Sequence, residues 1–286
     1  MSRVGVVYIA FGEVYRQLTV LSISFLRRFG YSGPVRVITD FHAWDLSQLR
    51  CEVVEVPNLG DGFGTRHYKT QITKYGYDTT LFLDADTLPV SSIDDIWKQL
   101  RFADICMSVD RHPDVLNLVT RGRDHSKCTW LAGESSLHPR RAEYEYMAGL
   151  GLMQHTFYSS GVMLYRRNAA TDRLFEVWHE EWCRFRHEDQ LALVRAIDQS
   201  GCSVRTLSPR WNARIRGSAT VESAQWRRAR ILHLRQENSP MLKILFEQPA
   251  FDGFGRTSRL RQFRDLWMPR IRRAIGTCVA SLSRRP

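Results

Sequence analysis

The segment LFLDADTLPV, residues 81–90, is a hydrophobic run that ends in two acids. Residues 80–83 are typical of a buried strand, and Asp84 and Asp86 follow directly. In a parallel α/β sheet, ligands bind at the carboxyl ends of the strands. Two acids at that edge repel each other unless a cation lies between them, and a divalent ion could also bridge a diphosphate. The alternative is a surface turn, since aspartate is common in turns.

The rest of the chain predicts strands that alternate with helices from the first residues onward. The apolar runs predict strands at residues 4–10, 35–39, 52–56, 80–83, 105–109, 160–165 and 231–234. Helical spacing predicts helices at residues 15–29, 66–77, 92–101, 170–185 and 189–197. This alternation indicates βαβ units and an α/β fold with a mostly parallel sheet. Residues 110–155 show no clear period, and we expect an insertion over one face of the sheet.

Composition excludes several classes of protein. The 286 residues are enough to bury a core, and no apolar run reaches the roughly 18 residues that span a bilayer. The N-terminal residues predict a first strand rather than a signal peptide. The six cysteines form no CxxC pair, so we expect reduced thiols in a cytoplasmic protein.

The positive charge is concentrated in the last third of the chain. The formal net charge is +11, and the excess of Lys and Arg lies in residues 203–286. In residues 256–286 apolar side chains follow one helical face and arginines fill most of the remainder, which predicts an amphipathic helix on an anionic membrane surface, kinked at Pro269. The alternatives are a helix packed on its own domain and an arginine-rich surface for nucleic acid. We favour the membrane, because the aromatic residues lie in the apolar stripe.

Taken together, the strand that ends in DAD and the α/β pattern resemble the GT-A (Rossmann-like) fold of nucleotide-sugar glycosyltransferases. Within that fold the sequence is most similar to glycosyltransferase family 8, which includes bacterial lipo-oligosaccharide galactosyltransferases and glycogenin. Six blocks between about residues 4 and 245 keep the order of the family. The resemblance implies a GT-A catalytic domain over residues 1–250, followed by a basic amphipathic tail over residues 251–286.

Two blocks near the N-terminus imply the nucleotide and phosphate contacts. In AFGEVYRQLTVLSISFLRR, residues 10–28, Ala10 and Tyr15 match positions that contact the base, so Tyr15 would stack on uracil. The alternative is that Tyr15 only opens the first helix. In the block over residues 65–90, Lys69 matches a basic residue of the family and Arg66 is nearby, so that both would neutralise donor phosphate. The alternative for Lys69 is a solvated helix face.

Two later blocks imply the contacts to the donor sugar. In FYSSGVMLYRR, residues 157–167, Ser159 replaces an asparagine of the family, while Ser160 and Gly161 match it. In RHEDQLALVRAI, residues 186–197, Asp189 would bind sugar hydroxyls and Gln190 would lie beneath the anomeric carbon. These two are the implied catalytic residues. The alternatives are an ordinary turn before a strand and, for Asp189, a helix N-cap.

The last two blocks imply the acceptor side and a metal ligand. In LSPRWNARI, residues 207–215, Trp211 and Asn212 would pack near the acceptor, although Trp211 also suits a scaffold role. In ILHLRQENSPM, residues 231–241, His233 matches the histidine that binds the metal. The glycine and lysine that follow in the family are Gln236 and Ser239 here.

The implied reaction is metal-dependent transfer of a sugar from a nucleotide-diphosphate sugar, a UDP-sugar by resemblance, to a hydroxyl of a glycan or lipid-linked glycan. Mn²⁺ or Mg²⁺ would be held by Asp84, Asp86 and His233, with Ala85 also at the donor site. The resemblance implies retention of anomeric configuration. An inverting enzyme would instead need a carboxylate base, for which the candidates are Asp110, Glu134 and Asp189.

Other functions remain open at this stage. The chain could be a glycosyltransferase that acts on nucleic acid, such as a modified DNA base, or on protein. It could also be a non-catalytic module that binds anionic ligands. A nucleotidyltransferase would show a Gly-rich basic loop after the first strand, which AFGEVY is not. The favoured hypothesis is an enzyme of lipopolysaccharide biosynthesis, cytoplasmic and peripheral on the inner face of the membrane.

Overall fold

The computed structural model describes residues 3–40, 49–60, 63–121, 139–214 and 228–234. The predicted tail over residues 251–286, with its amphipathic segment 256–286, lies outside the described residues, and so does Glu134. The domain boundary at residue 250 therefore stays a prediction. None of the helices in the described ranges is long and apolar enough to cross a membrane.

The described strands form one large and one small sheet. They are β1 (Val4–Ala10), β2 (Val35–Thr39), β3 (Glu52–Glu55), β4 (Thr79–Asp84), β5 (Thr87–Pro89), β6 (Ile105–Asp114), β7 (Thr156–Arg166), β8 (Val204–Thr206), β9 (Ala213–Arg214) and β10 (Ile231–His233). The large sheet has seven strands in the order β3-β2-β1-β4-β7-β6-β8. Strand β7 runs antiparallel to β4 and β6, and the other neighbours are parallel. The mostly parallel α/β sheet expected from the sequence is confirmed.

Helices cover both faces of this sheet. The described α-helices are α1 (Gly12–Arg28), α2 (Phe63–Lys69), α3 (Val115–Arg121), α4 (Pro139–Gly149), α5 (Ala169–Phe185) and α6 (Asp189–Ser200). Along β1, Val6 and Tyr8 point into one buried cluster and Val7 and Ile9 into a second. This is the two-residue period of a strand that is buried on both faces. Helix α1 packs on the first face, and α5 and α6 pack on the second.

The segment between β6 and β7 is more regular than its sequence predicts. Strand β6 extends to Asp114, and α3 and α4 lie within the stretch expected to be irregular. Their apolar residues bury a third cluster against Leu191 and Val194 of α6. Because α3 spans seven residues and α4 eleven, each is too short to give a strong helical period in the sequence. Nearby, the helix predicted over residues 92–101 is a 3₁₀ helix, Asp94–Phe102.

The small sheet places β10, the last described strand, beside the turn between β4 and β5 that contains Asp86. Its order is β5-β10-β9, with β10 antiparallel to β5 and parallel to β9. His233 on β10 lies opposite Thr87 on β5, and the backbone N–H of Leu234 donates to the carbonyl oxygen of Asp86 at 2.8 Å. Residues that are almost 150 positions apart in the sequence are thereby held side by side.

Candidate active site

A cleft of about 480 Å³ opens at the carboxyl ends of β1 and β4. This is the edge of a parallel sheet at which ligands bind. The residues that line it are Ile9, Phe11, Gly12, Tyr15, Asn58, Gly60, Thr65, Arg66, Lys69, Asp84, Ala85, Asp86 and Asp189. Seven of the residues singled out from the sequence therefore meet around one cavity: Tyr15, Arg66, Lys69, Asp84, Ala85, Asp86 and Asp189.

Two carboxylates that line the cleft converge with one imidazole. Asp84 is the last residue of β4, and Asp86 follows in the turn to β5. The Nε2 atom of His233 lies 3.2 Å from Oδ1 of Asp86 and 4.0 Å from Oδ2 of Asp84. Each of the three residues offers one ligand atom, and these atoms all lie within 4.8 Å of one another. The metal ligands implied by the resemblance are thus brought together.

The surroundings of His233 suit the binding of a divalent cation through Nε2. The other ring nitrogen, Nδ1, lies 3.0 Å from the amide oxygen of Asn212, which can only accept a hydrogen bond. In the neutral form of the ring this contact holds the proton on Nδ1, which leaves the lone pair that a cation would bind on Nε2, the ring nitrogen nearest the two acids. A β-carbon on Gly161 would lie 2.4 Å from Cε1 of His233 and 2.9 Å from Oδ2 of Asp84, so glycine leaves room for this arrangement. Two carboxylate oxygens and one imidazole nitrogen are a donor set that Mn²⁺ or Mg²⁺ accepts.

A buried lysine joins the acids at the floor of the cleft to Asp189. The ammonium nitrogen of Lys69 lies 2.8 Å from Oδ1 of Asp84 and 3.5 Å from Oδ2 of Asp189. Ser160 donates a hydrogen bond to the same Oδ2 at 2.9 Å, and Nε of Arg66 lies 3.8 Å from Oδ1. Because Lys69 is only 5% exposed, its charge acts with little screening by water. These contacts rule out the alternative that Lys69 lies on a solvated helix face.

The pKa values of these groups follow from this arrangement of charges. Burial raises the pKa of Asp84, and repulsion from Asp86 adds to the effect against the opposing pull of Lys69. Burial acts in the same direction on Asp86, but the contact with His233 lowers its pKa below the usual value. For Asp189 burial is likewise outweighed, since Lys69 and other partners lower its pKa. The floor of the cleft therefore holds carboxylates that a further cation would stabilise in their ionised form.

Two residues that were predicted to contact the donor sugar, Ser159 and Gln190, are held by other protein groups and do not line the cleft. Ser159 is 2% exposed, and its hydroxyl accepts hydrogen bonds from Asn212 at 2.9 Å and from Arg214 at 2.8 Å. The amide nitrogen of Gln190 donates to the carbonyl oxygen of Tyr158 at 2.7 Å. Neither Ser159 nor Gln190 lines the cavity, so in this structure they support the site from behind.

Of the two residues predicted to contact the base, Tyr15 lines the cleft and Ala10 does not. Tyr15 lines the cavity and is 36% exposed, as a ring that stacks on a base would need. Ala10 is fully buried and does not line the cavity, whereas its neighbours Ile9 and Phe11 do. Trp211 is 1% exposed in the core cluster beside α1, which agrees with a scaffold role.

Sequence reasoning missed a polar group beside Gly12, Asn58 and Gly60, which line the cleft. Asp40 accepts hydrogen bonds from the backbone N–H of Gly12 at 3.1 Å and from the amide of Asn58 at 2.5 Å. Asn58 in turn accepts from the backbone N–H of Gly60 at 2.9 Å. Asp40 directly follows β2, so the rule that singled out Asp84 would also have found it.

No protein-family model and no curated protein sequence matches the chain. Solved structures do match it in fold. The bifunctional glycosyltransferase WbbM superposes with a TM-score of 0.55 at 13% identity, over 84% of this chain and 47% of that one. The galactosyltransferase LgtC, in complex with donor and acceptor sugar analogs, gives 0.52 at 12% identity, over 92% and 94%. The glycosyltransferase GlyE of Streptococcus pneumoniae gives 0.53 at 12% identity, over 93% and 64%.

These matches define the fold and not the substrates. The chain spans about half the length of WbbM and about two thirds of GlyE, but nearly all of LgtC. Identities of 12–13% show a shared architecture alone. The described residues therefore have the GT-A fold that the resemblance implies.

Proposed function

We propose that the protein is a metal-dependent glycosyltransferase that moves a sugar from a nucleotide-diphosphate sugar to an acceptor hydroxyl. The observation that carries this proposal is the convergence of His233 with Asp84 and Asp86, two acids that line the cleft. Acids at the end of a central strand, joined by a histidine from a distant strand, form a site for a cation beside a cavity in a GT-A fold. The names of the structurally similar proteins support the same class of reaction.

Each group around the cavity has a role that follows from its charge. A divalent cation held by Asp84, Asp86 and His233 would supply positive charge to a departing diphosphate. Lys69 and Arg66 add two fixed positive charges at the same wall and would stabilise the same oxygens. Asp189 lines the cavity beside these cations, where it would accept hydrogen bonds from sugar hydroxyls. Gln190, bound from behind to Tyr158, would support the floor beneath the anomeric carbon.

We propose a UDP-sugar as the donor. Tyr15 offers an exposed ring at the side of the cavity for stacking on a pyrimidine. Asn58, which also lines the cavity and donates to Asp40, adds a hydrogen-bonding group. A GDP-sugar is the comparison that tests this assignment, since a purine presents a larger ring and more donors.

We propose that the reaction retains the anomeric configuration. An inverting reaction needs a carboxylate that can take the proton of the acceptor. Among the described candidates, Asp110 is paired with Arg214 and accepts from Gln190, and it does not line the cavity. Asp189 is engaged by Ser160 and faces Lys69. These partners favour retention, and nuclear magnetic resonance of the product anomer tests it.

For the acceptor we propose a glycan or a lipid-linked glycan, reached at the cytoplasmic face of a membrane. This proposal rests on the basic amphipathic pattern of residues 256–286, which lie outside the described residues. Sedimentation of the full chain with anionic and with neutral vesicles tests it. Binding to anionic vesicles alone supports the proposal, and binding to neither, or a preference for DNA over vesicles in competition, contradicts it.

The proposed activity is tested by hydrolysis of a panel of UDP-, GDP- and other nucleotide-sugars, first with Mn²⁺ and then with a chelator. We expect slow release of the nucleotide from one donor, lost with the chelator and in Asp86→Asn. The matched control is Asp95→Asn, because Asp95 is an exposed aspartate that pairs with Lys98 on the surface. Lack of turnover and of nucleotide binding with every donor would contradict the proposed enzyme.

A further inference from the structure

A chain of buried polar side chains lies behind the proposed metal ligand His233. Asn212, which follows the 3₁₀ turn Pro209–Trp211, contacts the ring of His233, and Ser159 on β7 contacts Asn212. Arg214 on β9 completes the chain by joining Ser159 to Asp110 on β6. Four strands, β6, β7, β9 and β10, and a turn thus contribute to one connected set of hydrogen bonds.

We infer that Asn212 is a positioning residue, which fixes the ring of His233 so that Nε2 is the nitrogen offered to a cation. The inference rests on the proposed function, because it takes His233 as a metal ligand. The two atoms Nδ1 and Oδ1 are 3.0 Å apart, and an amide oxygen accepts but never donates. A ring whose Nδ1–H is held in this way has its free lone pair on Nε2, the atom that lies 3.2 Å from Asp86.

The amide of Asn212 is itself held in one orientation. Its nitrogen donates to the hydroxyl of Ser159 at 2.9 Å, so that its oxygen is turned toward His233. Asn212 is 6% exposed and Ser159 is 2% exposed. A buried polar group that loses its hydrogen-bond partner destabilises the fold more than an exposed one, because water cannot replace the lost bond. Rotation of the amide would therefore break two buried hydrogen bonds at once.

An ion pair anchors the far end of this chain of contacts. The guanidinium of Arg214 donates to Ser159 at 2.8 Å and pairs with Asp110, which is only 5% exposed in its side chain. Burial acts to raise the pKa of Asp110, but the hydrogen bond from Arg214 outweighs it and the pKa lies below its usual value. Asp110 is therefore ionised near neutral pH and keeps Arg214, and through it Ser159, in place.

The inference is tested in the full chain by comparing wild type with Asn212→Ala, Asn212→Asp and a control, Asn117→Ala. A carboxylate at position 212 still accepts a hydrogen bond from Nδ1, so Asn212→Asp tests rescue. Asn117 is on α3, where its amide donates to Asp114 and not to the site. Two readouts are used: the affinity for Mn²⁺ by calorimetry, and the tautomer of His233 from nitrogen-15 ring shifts without metal at alkaline pH. The signal is assigned by its loss in His233→Gln.

We expect Asn212→Ala to bind Mn²⁺ about 10- to 100-fold more weakly, the range typical when a group that orients a ligand is removed. We also expect its neutral ring to lose the preference for Nδ1–H that wild type shows. Asn212→Asp should recover the tautomer and most of the affinity, and Asn117→Ala should match wild type. Circular dichroism and thermal unfolding identify a variant that has simply failed to fold. If Asn212→Ala fails to fold, the Mn²⁺ affinity and the His233 tautomer of Asn212→Asp and Ser159→Ala test the inference instead.

The failure of the inference can be told apart from the failure of the proposed function. If wild type binds Mn²⁺ and Asn212→Ala binds it equally well with an unchanged tautomer, the inference is overturned and the metal site stands. If wild type binds no divalent cation, the metal-dependent function is overturned. The tautomer, which is measured without metal, then shows whether Asn212 orients the ring.

Discussion

The ammonium nitrogen of Lys69 lies 2.8 Å from Oδ1 of Asp84, at the point where β4 ends. The contact places a fixed cation of the protein against one of the acids that would hold a metal. Burial acts to lower the pKa of Lys69, but attraction by Asp84 and Asp189 raises it, so the lysine keeps its charge. Lys69 is thus a built-in counter-ion for the acidic cluster.

Replacement of Lys69 by methionine tests this role. Without metal, Lys69→Met should lower the free energy of unfolding by about 3–5 kcal/mol, as expected when one partner of a buried ion pair is removed. Mn²⁺ should restore more stability to the variant than to wild type, because it replaces the missing charge and acts by mass action on the folded state. Thermal and denaturant unfolding with and without Mn²⁺ measure both effects.

The control for this experiment is Lys98→Met. Lys98 pairs with Asp95 on the surface, with a side chain that is 77% exposed, so its loss should change neither the unfolding transition nor the response to Mn²⁺. Equal stabilisation of Lys69→Met and wild type by Mn²⁺ would show that Lys69 does not compensate the acidic cluster.

A second prediction separates catalysis from metal binding at Asp189. The carboxylate lies 3.5 Å from Lys69 and accepts from Ser160, but it is not one of the proposed metal ligands. Asp189→Asn should therefore keep an affinity for Mn²⁺ close to that of wild type. We expect kcat for donor hydrolysis to fall by about 100-fold or more, the usual cost of removing a group that stabilises the reacting centre.

The matched control for Asp189→Asn is Asp198→Asn, on the same helix α6 but 45% exposed and facing His155. It should keep both activity and metal affinity. If Asp189→Asn lost Mn²⁺ binding and activity together, Asp189 would belong to the metal site rather than to the binding of the sugar.

A third prediction concerns the space that Gly161 leaves for the ring of His233. In Gly161→Ala the new methyl group would lie 2.4 Å from Cε1 of the ring, closer than atoms can approach. The ring must shift, and we expect weaker binding of Mn²⁺ together with a loss of stability of about 1–3 kcal/mol, as for other overpacked sites.

Gly149→Ala is the control for this substitution, because nothing lies within 4 Å of a β-carbon at that position. Calorimetric titration with Mn²⁺ and denaturant unfolding should show little change in the control. An unchanged affinity in Gly161→Ala would mean that His233 does not need its present position to bind the metal.

The parts of this site that follow from local sequence were predictable. Leu81, Phe82 and Leu83 form an apolar run directly before Asp84, so both the buried strand and its acidic end could be predicted. Helix α5 was predicted over residues 170–185 because its apolar residues recur there with helical period. In these cases the pattern that predicts the element lies within the element itself.

The parts that depend on distant contacts were not predictable from the residues alone. Asn212 and His233 are 21 positions apart, and their contact exists because β10 pairs with both β5 and β9. Arg214 reaches Asp110 across 104 positions, and neither residue belongs to a local motif that would predict the pair. His233 itself was singled out only through the resemblance, since a histidine after a short apolar strand has no distinctive pattern.

The last prediction concerns a buried ion triad that ties α4 to the rest of the fold. Arg195 on α6 is fully buried and donates to Glu181 on α5 at 2.7 Å and to Glu143 on α4 at 2.9 Å. One positive charge thus faces two carboxylates. Burial raises the pKa of Glu143 from its ordinary value near 4.5 to about 7, against the opposing pull of Arg195.

The sign of the pH dependence follows from this shift. Between about pH 4.5 and pH 7 the folded chain keeps the proton of Glu143 and the unfolded chain does not, so this group lowers stability as pH rises through that window. Each pKa unit corresponds to about 1.4 kcal/mol, so the whole change in the free energy of unfolding is of the order of 3 kcal/mol.

Glu143→Gln removes the titration and still offers an oxygen to Arg195. Its stability relative to wild type should therefore increase from pH 5 to pH 7.5 in denaturant unfolding. Glu145→Gln, on the same helix but exposed and paired with Arg141, should show no such trend. A difference between Glu143→Gln and wild type that stays constant with pH would mean that Glu143 is already ionised at pH 5 in the folded chain.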